Sequence, residues 1–277
     1  MFTTVSAGSF SRLWPSGMPA AVKARESELC GRTGHSTRTP AAPVTSDVRR
    51  HMFRKALAAL GLLASTSVGT APPYTPYPSQ AANDIYNLLF CDDAAAFAPL
   101  PGQKPTPWQE ILVAKSPDVR ALRALAADPL GEGRVRYLAF ARLRGAGQPV
   151  EPKQLLGVIV EVPLVGGLDT LAAYSEGGVR YVNQSGKLVL IEGVASFRPL
   201  VEKLFAAAQP IVAAIGPWDK PRRGPLARGQ IRMTFLVSDG FYFGEGPLEA
   251  MQREPAAAAL IGRATELLQA VVAAPAK

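Results

Sequence analysis

Histidine and cysteine are scarce in this chain, with two of each in 277 residues. Cys30, His35 and His51 all fall within the first 51 residues, so the rest of the sequence holds no histidine and one cysteine, Cys91. That scarcity removes whole classes of chemistry from residues 52–277. A Ser-His-Asp or Cys-His nucleophile cannot be assembled there, and neither can the His-containing zinc sites of most catalytic zinc enzymes. A single thiol closes no intramolecular disulfide. Any catalysis would rest on carboxylates, Lys, Tyr, Ser or Thr.

Long apolar runs are missing too. The longest candidate, Ala56 to Ala64, falls well short of the roughly 18 residues that a membrane-spanning helix needs. Phosphate loops are absent as well. Gly186-Lys187 has Tyr181 where the loop requires glycine, and no Gly-x-Gly-x-x-Gly opens a helix. Neither Ser185 nor Ser238 sits in a Gly-x-Ser-x-Gly elbow. The adjacent acids Asp92 and Asp93 lack the further oxygens of a calcium loop. The sequence therefore implies no cofactor and no metal.

What is present begins with charge, a net +8. Residues 1–51 hold seven Lys or Arg against Glu26, Glu28 and Asp47, and Arg54 and Lys55 follow closely. A nucleic-acid binder concentrates its basic charge on the folded domain. Here most of the excess precedes it, which argues against nucleic acid as the partner. Residues 1–51, rich in Ser, Thr, Arg, Pro and Gly without apolar periodicity, read as a disordered or spurious upstream extension. From Met52, Phe53-Arg54-Lys55 and the apolar Ala56 to Ala64 have the layout of a signal peptide ending near Ala71, with Ser67 as the fallback. A periplasmic or secreted protein is then expected. An organellar transit peptide or an ordinary cytoplasmic N-terminus is the alternative. Residues 72–82, with Pro72, Pro73, Pro76 and Pro78, read as a stiff linker, and 83–277 as one domain.

Within that domain, Asn83 is the expected cap of a short helix, and Ser116-Pro117-Asp118 announces another that carries Val119, Leu122, Leu125 and Ala126. Arg134 to Arg144 has helical spacing ended by Gly145. From Leu156 the period changes to two. Runs divided by Glu176-Gly177 and Ser185-Gly186 predict a meander of four short strands, and Asp239-Gly240 predicts a further hairpin. Apolar stripes at Phe197 to Ile215 and Leu260 to Val272 predict two long helices, the first kinked at Pro210. The expected fold is α+β, an antiparallel sheet of about six strands packed with helices in two layers, with a helical N-terminal portion.

Three acids are weak catalytic candidates. Glu161 interrupts an apolar strand and Glu192 ends another, so the two would face each other if their strands were neighbours; Asp239 is the third. The richest local chemistry is Gly216-Pro217-Trp218-Asp219-Lys220-Pro221-Arg222-Arg223-Gly224-Pro225. Trp218 beside Lys220, Arg222 and Arg223 in a proline-stiffened loop suits a carboxylate or phosphate held against an indole face. The competing reading plugs Trp218 into the core and leaves the cations solvated. Tyr242, in the aromatic run after Asp239-Gly240, would wall a pocket or cover the sheet. Asn183-Gln184-Ser185 matches a glycosylation sequon, and Cys91 reads as a small buried residue.

The segments Gly167 to Tyr174, Arg180 to Lys187, Gly216 to Asp219 and Phe235 to Gly240 together resemble a family of uncharacterised bacterial proteins. That resemblance implies a bacterial domain and assigns no residue a role. The expected function is a non-enzymatic, exported binding or interaction module for a small acidic ligand or a protein. The alternative is a carboxylate-dependent hydrolase or transferase. Export is checked by sequencing the N-terminus of the native protein. A start near Ala71 or Ser67 is expected, and an intact Met52 to Ala71 in a cytoplasmic fraction overturns it.

Overall fold

The computed structural model describes residues 74–274 except Pro117, so the expected extension and signal peptide lie outside the described residues. Among the described residues, seven α-helices and six strands form an α+β fold. In order they are α1 (Gln80–Leu88), α2 (Pro107–Val113), α3 (Val119–Ala127), α4 (Gly133–Gly145), β1 (Leu155–Leu164), β2 (Gly167–Tyr174), β3 (Val179–Val182), β4 (Leu188–Ile191), α5 (Arg198–Ala214), β5 (Gln230–Val237), β6 (Gly240–Pro247), α6 (Leu248–Arg253) and α7 (Pro255–Ala273).

The strands form one antiparallel sheet in the order β4-β3-β2-β1-β5-β6. The meander and the hairpin are both present. They are joined by β5 pairing with β1, which puts the first strand in the middle of the sheet. Gly157, Ile159 and Glu161 alternate along β1 with Val158, Val160 and Val162, and both sets are buried. Such burial requires cover on each side. Ile159, Ala172, Tyr174, Val182 and Leu236 cluster with Tyr86, Leu112, Leu122 and Leu138 from α1 to α4. On the other side α5 packs on β1, and α7 lies along α5. The sheet and the C-terminal helices are the two layers expected from sequence, and the helical N-terminal portion covers the opposite face.

Helix α4 joins the parts of that N-terminal portion. It buries residues around most of its circumference, and its arginines hold carbonyls of neighbouring elements. Arg136 donates to Ala126 O at the end of α3, Arg142 to Ala114 O after α2, and Arg144 to Ser238 O in the β5-β6 turn. These are the acceptors that helix ends and turns leave open.

Three local expectations need correction. The cap of α1 is Ser79, which accepts from Ala82 N–H; Asn83 is buried inside the helix. Helix α3 is capped by Asp118, one carboxylate oxygen of which accepts from the N–H groups of Arg120 and Ala121. A carboxylate two residues later in the sequence fits the donors better than the Ser116 hydroxyl, the cap expected from Ser116-Pro117-Asp118. The expected linker is packed from Tyr74 onward. Tyr77 is buried, its backbone bonded both ways to the Asn83 side chain and its hydroxyl 2.9 Å from Thr170 Oγ1. Two aromatic side chains outweigh the proline signal here. Helix α5 runs through Pro210, which lies on its exposed side, and α7 is long and apolar enough to cross a membrane but buries its Leu260, Leu267 and Leu268 stripe.

Leu204→Ala and Leu268→Ala each remove a buried side chain from the α5-α7 layer and should cost about 2–5 kcal/mol. Urea denaturation measures this, and a loss below about 0.5 kcal/mol at both positions contradicts the packing.

Candidate functional site

Across the N-terminal face of the sheet the register sets Glu245, Arg232, Glu161, Thr170 and Val182 side by side on β6, β5, β1, β2 and β3. Directly opposed residues share a face, so this is one row across the sheet, polar from Glu245 to Thr170. Arg232 Nε donates to Glu245 Oε2 at 2.7 Å, and Arg232 Nη1 lies 3.7 Å from Glu161 Oε2. The remaining guanidinium donors go to the carbonyls of Arg223, at 3.3 Å, and Gly224, at 2.9 Å. Glu161 Oε1 accepts from the Tyr86 hydroxyl at 2.7 Å. Its Oε2 accepts no hydrogen bond from a described residue, nor does Thr234 Oγ1 two positions along β5 from Arg232. Burial raises the Glu161 carboxyl above its usual range, opposed by the Arg232 charge and by the Tyr86 bond.

The loop between α5 and β5 runs over the edge of this row. The Trp218 backbone N–H donates to Phe241 O at 2.7 Å, bridging onto edge strand β6, and its indole packs edge-on to Phe243. The indole N–H donates to Pro221 O, and Lys220 sits over the ring. Arg222 turns inward to α1. Nε reaches Asp92 Oδ2 at 2.9 Å, Nη2 reaches Asn87 Oδ1 at 2.6 Å, and the guanidinium lies 3.9 Å from the Phe90 ring centroid. Arg223 approaches Glu245, 3.6 Å away. Only Leu226 of the segment 216–229 is buried outright.

The sequence candidates are therefore dispersed. Glu161 and Glu192 do not face each other, because β2 and β3 separate β1 from β4. Glu192 instead pairs with Arg180 at 2.8 Å with its side chain 64% exposed. Asp239 holds the hairpin turn, accepting from Tyr242 Oη at 2.8 Å and from Lys153 N–H at 3.2 Å. Tyr242 is fully buried beneath Lys153, which caps the end of α5 by donating to Val212 O and Ile215 O. It covers the sheet. Trp218 and Lys220 face outward together, while Arg222 and Arg223 diverge to separate acids. They do not converge on one anion site, because each guanidinium has a carboxylate within reach. The Asn183 side chain is buried in a turn, accepting from Ser185 and Lys187, so the sequon is folded away. Cys91 is buried, and burial raises its thiol pKa.

Sequence reading did not assemble Tyr86, Arg232 and Glu245 around Glu161. The one available signal was a pair of charges, Glu161 and Arg232, each inside an apolar strand. Their pairing depended on a register between strands about 70 residues apart, which no short turn announces.

A raised Glu161 pKa means that the folded state holds this proton more tightly than the unfolded chain does. Its contribution is fully present below the unfolded value and is lost as pH rises through the folded one. Glu161→Gln imitates the protonated form, so its stability relative to the native protein should improve between about pH 4 and about pH 8. Urea denaturation at the two pH values reads the difference, and a relative stability that worsens with pH contradicts the burial-dominated balance.

The chain matches no known protein-family model, and no curated protein matches it either.

Proposed function

We propose that this protein is a non-enzymatic interaction module that presents the 216–228 loop to an acidic partner, either a small carboxylate-bearing ligand or an acidic segment of a protein. The supporting observation is how the loop is held. It has a backbone bridge to β6 at Trp218, the Arg222 anchor on α1, and two carbonyls bound by Arg232. Between these points Trp218 stays half-exposed, and Lys220, Arg223 and Arg228 lie on the surface. A loop already fixed loses little entropy on binding, and an indole flanked by cations complements a carboxylate. Export through the Met52 to Ala71 segment belongs to the same proposal.

The carboxylate-dependent hydrolase or transferase reading has less support. It needs two acids converging on one substrate, and Glu161, Glu192 and Asp239 stand on separate parts of the sheet. Of these three, Glu161 is the buried one, and burial raises its carboxyl.

The test is titration of the full chain with a polyglutamate peptide, followed by the indole N–H resonance of Trp218 and by backbone amide shifts. Binding should weaken as salt rises from about 50 to about 200 mM, through screening of exposed charges. Lys220→Glu with Arg228→Glu should lower the affinity at least about tenfold with little change in stability, because both side chains are exposed. Equal binding by the double variant, or shifts confined to other surfaces, overturns the assignment.

A further inference from the structure

Arg222 is received by a set of groups that suits a guanidinium. Asp92 Oδ2 and Asn87 Oδ1 accept from two nitrogens of the fork, and the rings of Phe90 and Tyr86 lie 3.9 Å and 5.3 Å from its carbon. Both rings are fully buried, the Arg222 side chain is 13% exposed, and the Asp92 side chain at the rim is 45% exposed. A planar cation stacked on an aromatic floor with acceptors at its edge is the arrangement that distinguishes guanidinium from ammonium.

The receptor is built without help from the loop it holds. Tyr86 and Asn87 belong to the last turn of α1, and Phe90 and Asp92 follow directly. Cys91 between them has φ +55°, a conformation that non-glycine residues seldom adopt. This turn brings Asp92 to the rim above the Phe90 floor. The Asn87 amide is oriented from behind, its NH₂ donating to Asn83 O at 2.9 Å and Tyr74 O at 3.2 Å, which leaves Oδ1 free to accept. Tyr86 is fixed by its bond to Glu161.

We infer that residues 86–92 form a binding site for a guanidinium group, occupied by the chain's own Arg222 and able to take an arginine side chain of a partner in its place when the Arg222 side chain leaves, the loop remaining held at Trp218 and by Arg232. This goes beyond the proposed acidic partner of the loop and involves a different surface. In the intact chain Arg222 competes as an intramolecular ligand at high effective concentration, so a free guanidinium at millimolar level does not displace it.

Arg222→Ala removes the resident group from the full-length protein. The probe is methylguanidinium, with methylammonium as the control, each at about 10 mM and well below denaturing levels. Methylguanidinium should raise the thermal midpoint of Arg222→Ala and shift the Asn87 side-chain amide resonance. Its affinity should exceed that for the native protein by at least about tenfold. Methylammonium should do neither, and adding Asp92→Asn should abolish the response. Arg222→Lys, which keeps the charge and loses the fork, serves the same titration if the alanine variant does not fold. An equal response to methylammonium, an equal response in the native protein, or no binding to either variant overturns the site. The polyglutamate titration of the outer loop surface is read independently of any of these results.

Discussion

The sheet carries a carboxylate on β1 and a guanidinium on the adjacent inner strand β5, and both of its faces are covered. Moving a charge out of water is expensive unless partners replace the lost hydration. Glu161 and Arg232 stand opposite each other at that position, and much of the surrounding architecture supplies their partners. Tyr86 reaches down from α1 to Glu161, Glu245 comes from the neighbouring strand, and the loop after α5 turns two carbonyls toward Arg232. The N-terminal helices and the 216–228 loop are thus tied to the same buried row, one by a hydroxyl and the other by its backbone.

This dependence explains the conformation of the basic loop. Its prolines restrict it, but its path is fixed by contacts at widely separated points in the sequence. Arg222 reaches residues of α1 and the turn after it, Trp218 joins β6, and Arg232 sits on β5. The loop, α1 and the strand pair β1-β5 therefore support one another. Removing a partner of Glu161 or Arg232 disturbs more than one hydrogen bond, because it leaves a buried charge uncompensated.

Several charged groups are held by partners inside the fold. Glu192 and Arg180, Asp239 with Lys153 and Tyr242, and Asp169 with Tyr181 and Gln184 are polar groups paired within the fold. Lys220 and Arg228 differ in lying on the surface of a fixed loop, with no carboxylate partner among the described residues. They can meet a partner without breaking an internal bond.

The amino-acid sequence by itself determined the local elements. Alternation from Leu156, the Glu176-Gly177, Ser185-Gly186 and Asp239-Gly240 turns and the stripes of α5 and α7 are properties of short windows, where side-chain period and turn residues act directly on the backbone. It also settled what chemistry residues 74–274 cannot perform, since histidine is missing there whatever the fold. Only the tertiary structure decided that β1 is central and pairs with β5, that Tyr77 belongs to the core, and that Glu161 meets Arg232 and not Glu192. Those outcomes depend on contacts between segments roughly 70 to 90 residues apart. Their register is set by the simultaneous burial of both sheet faces, a global constraint that no local pattern encodes.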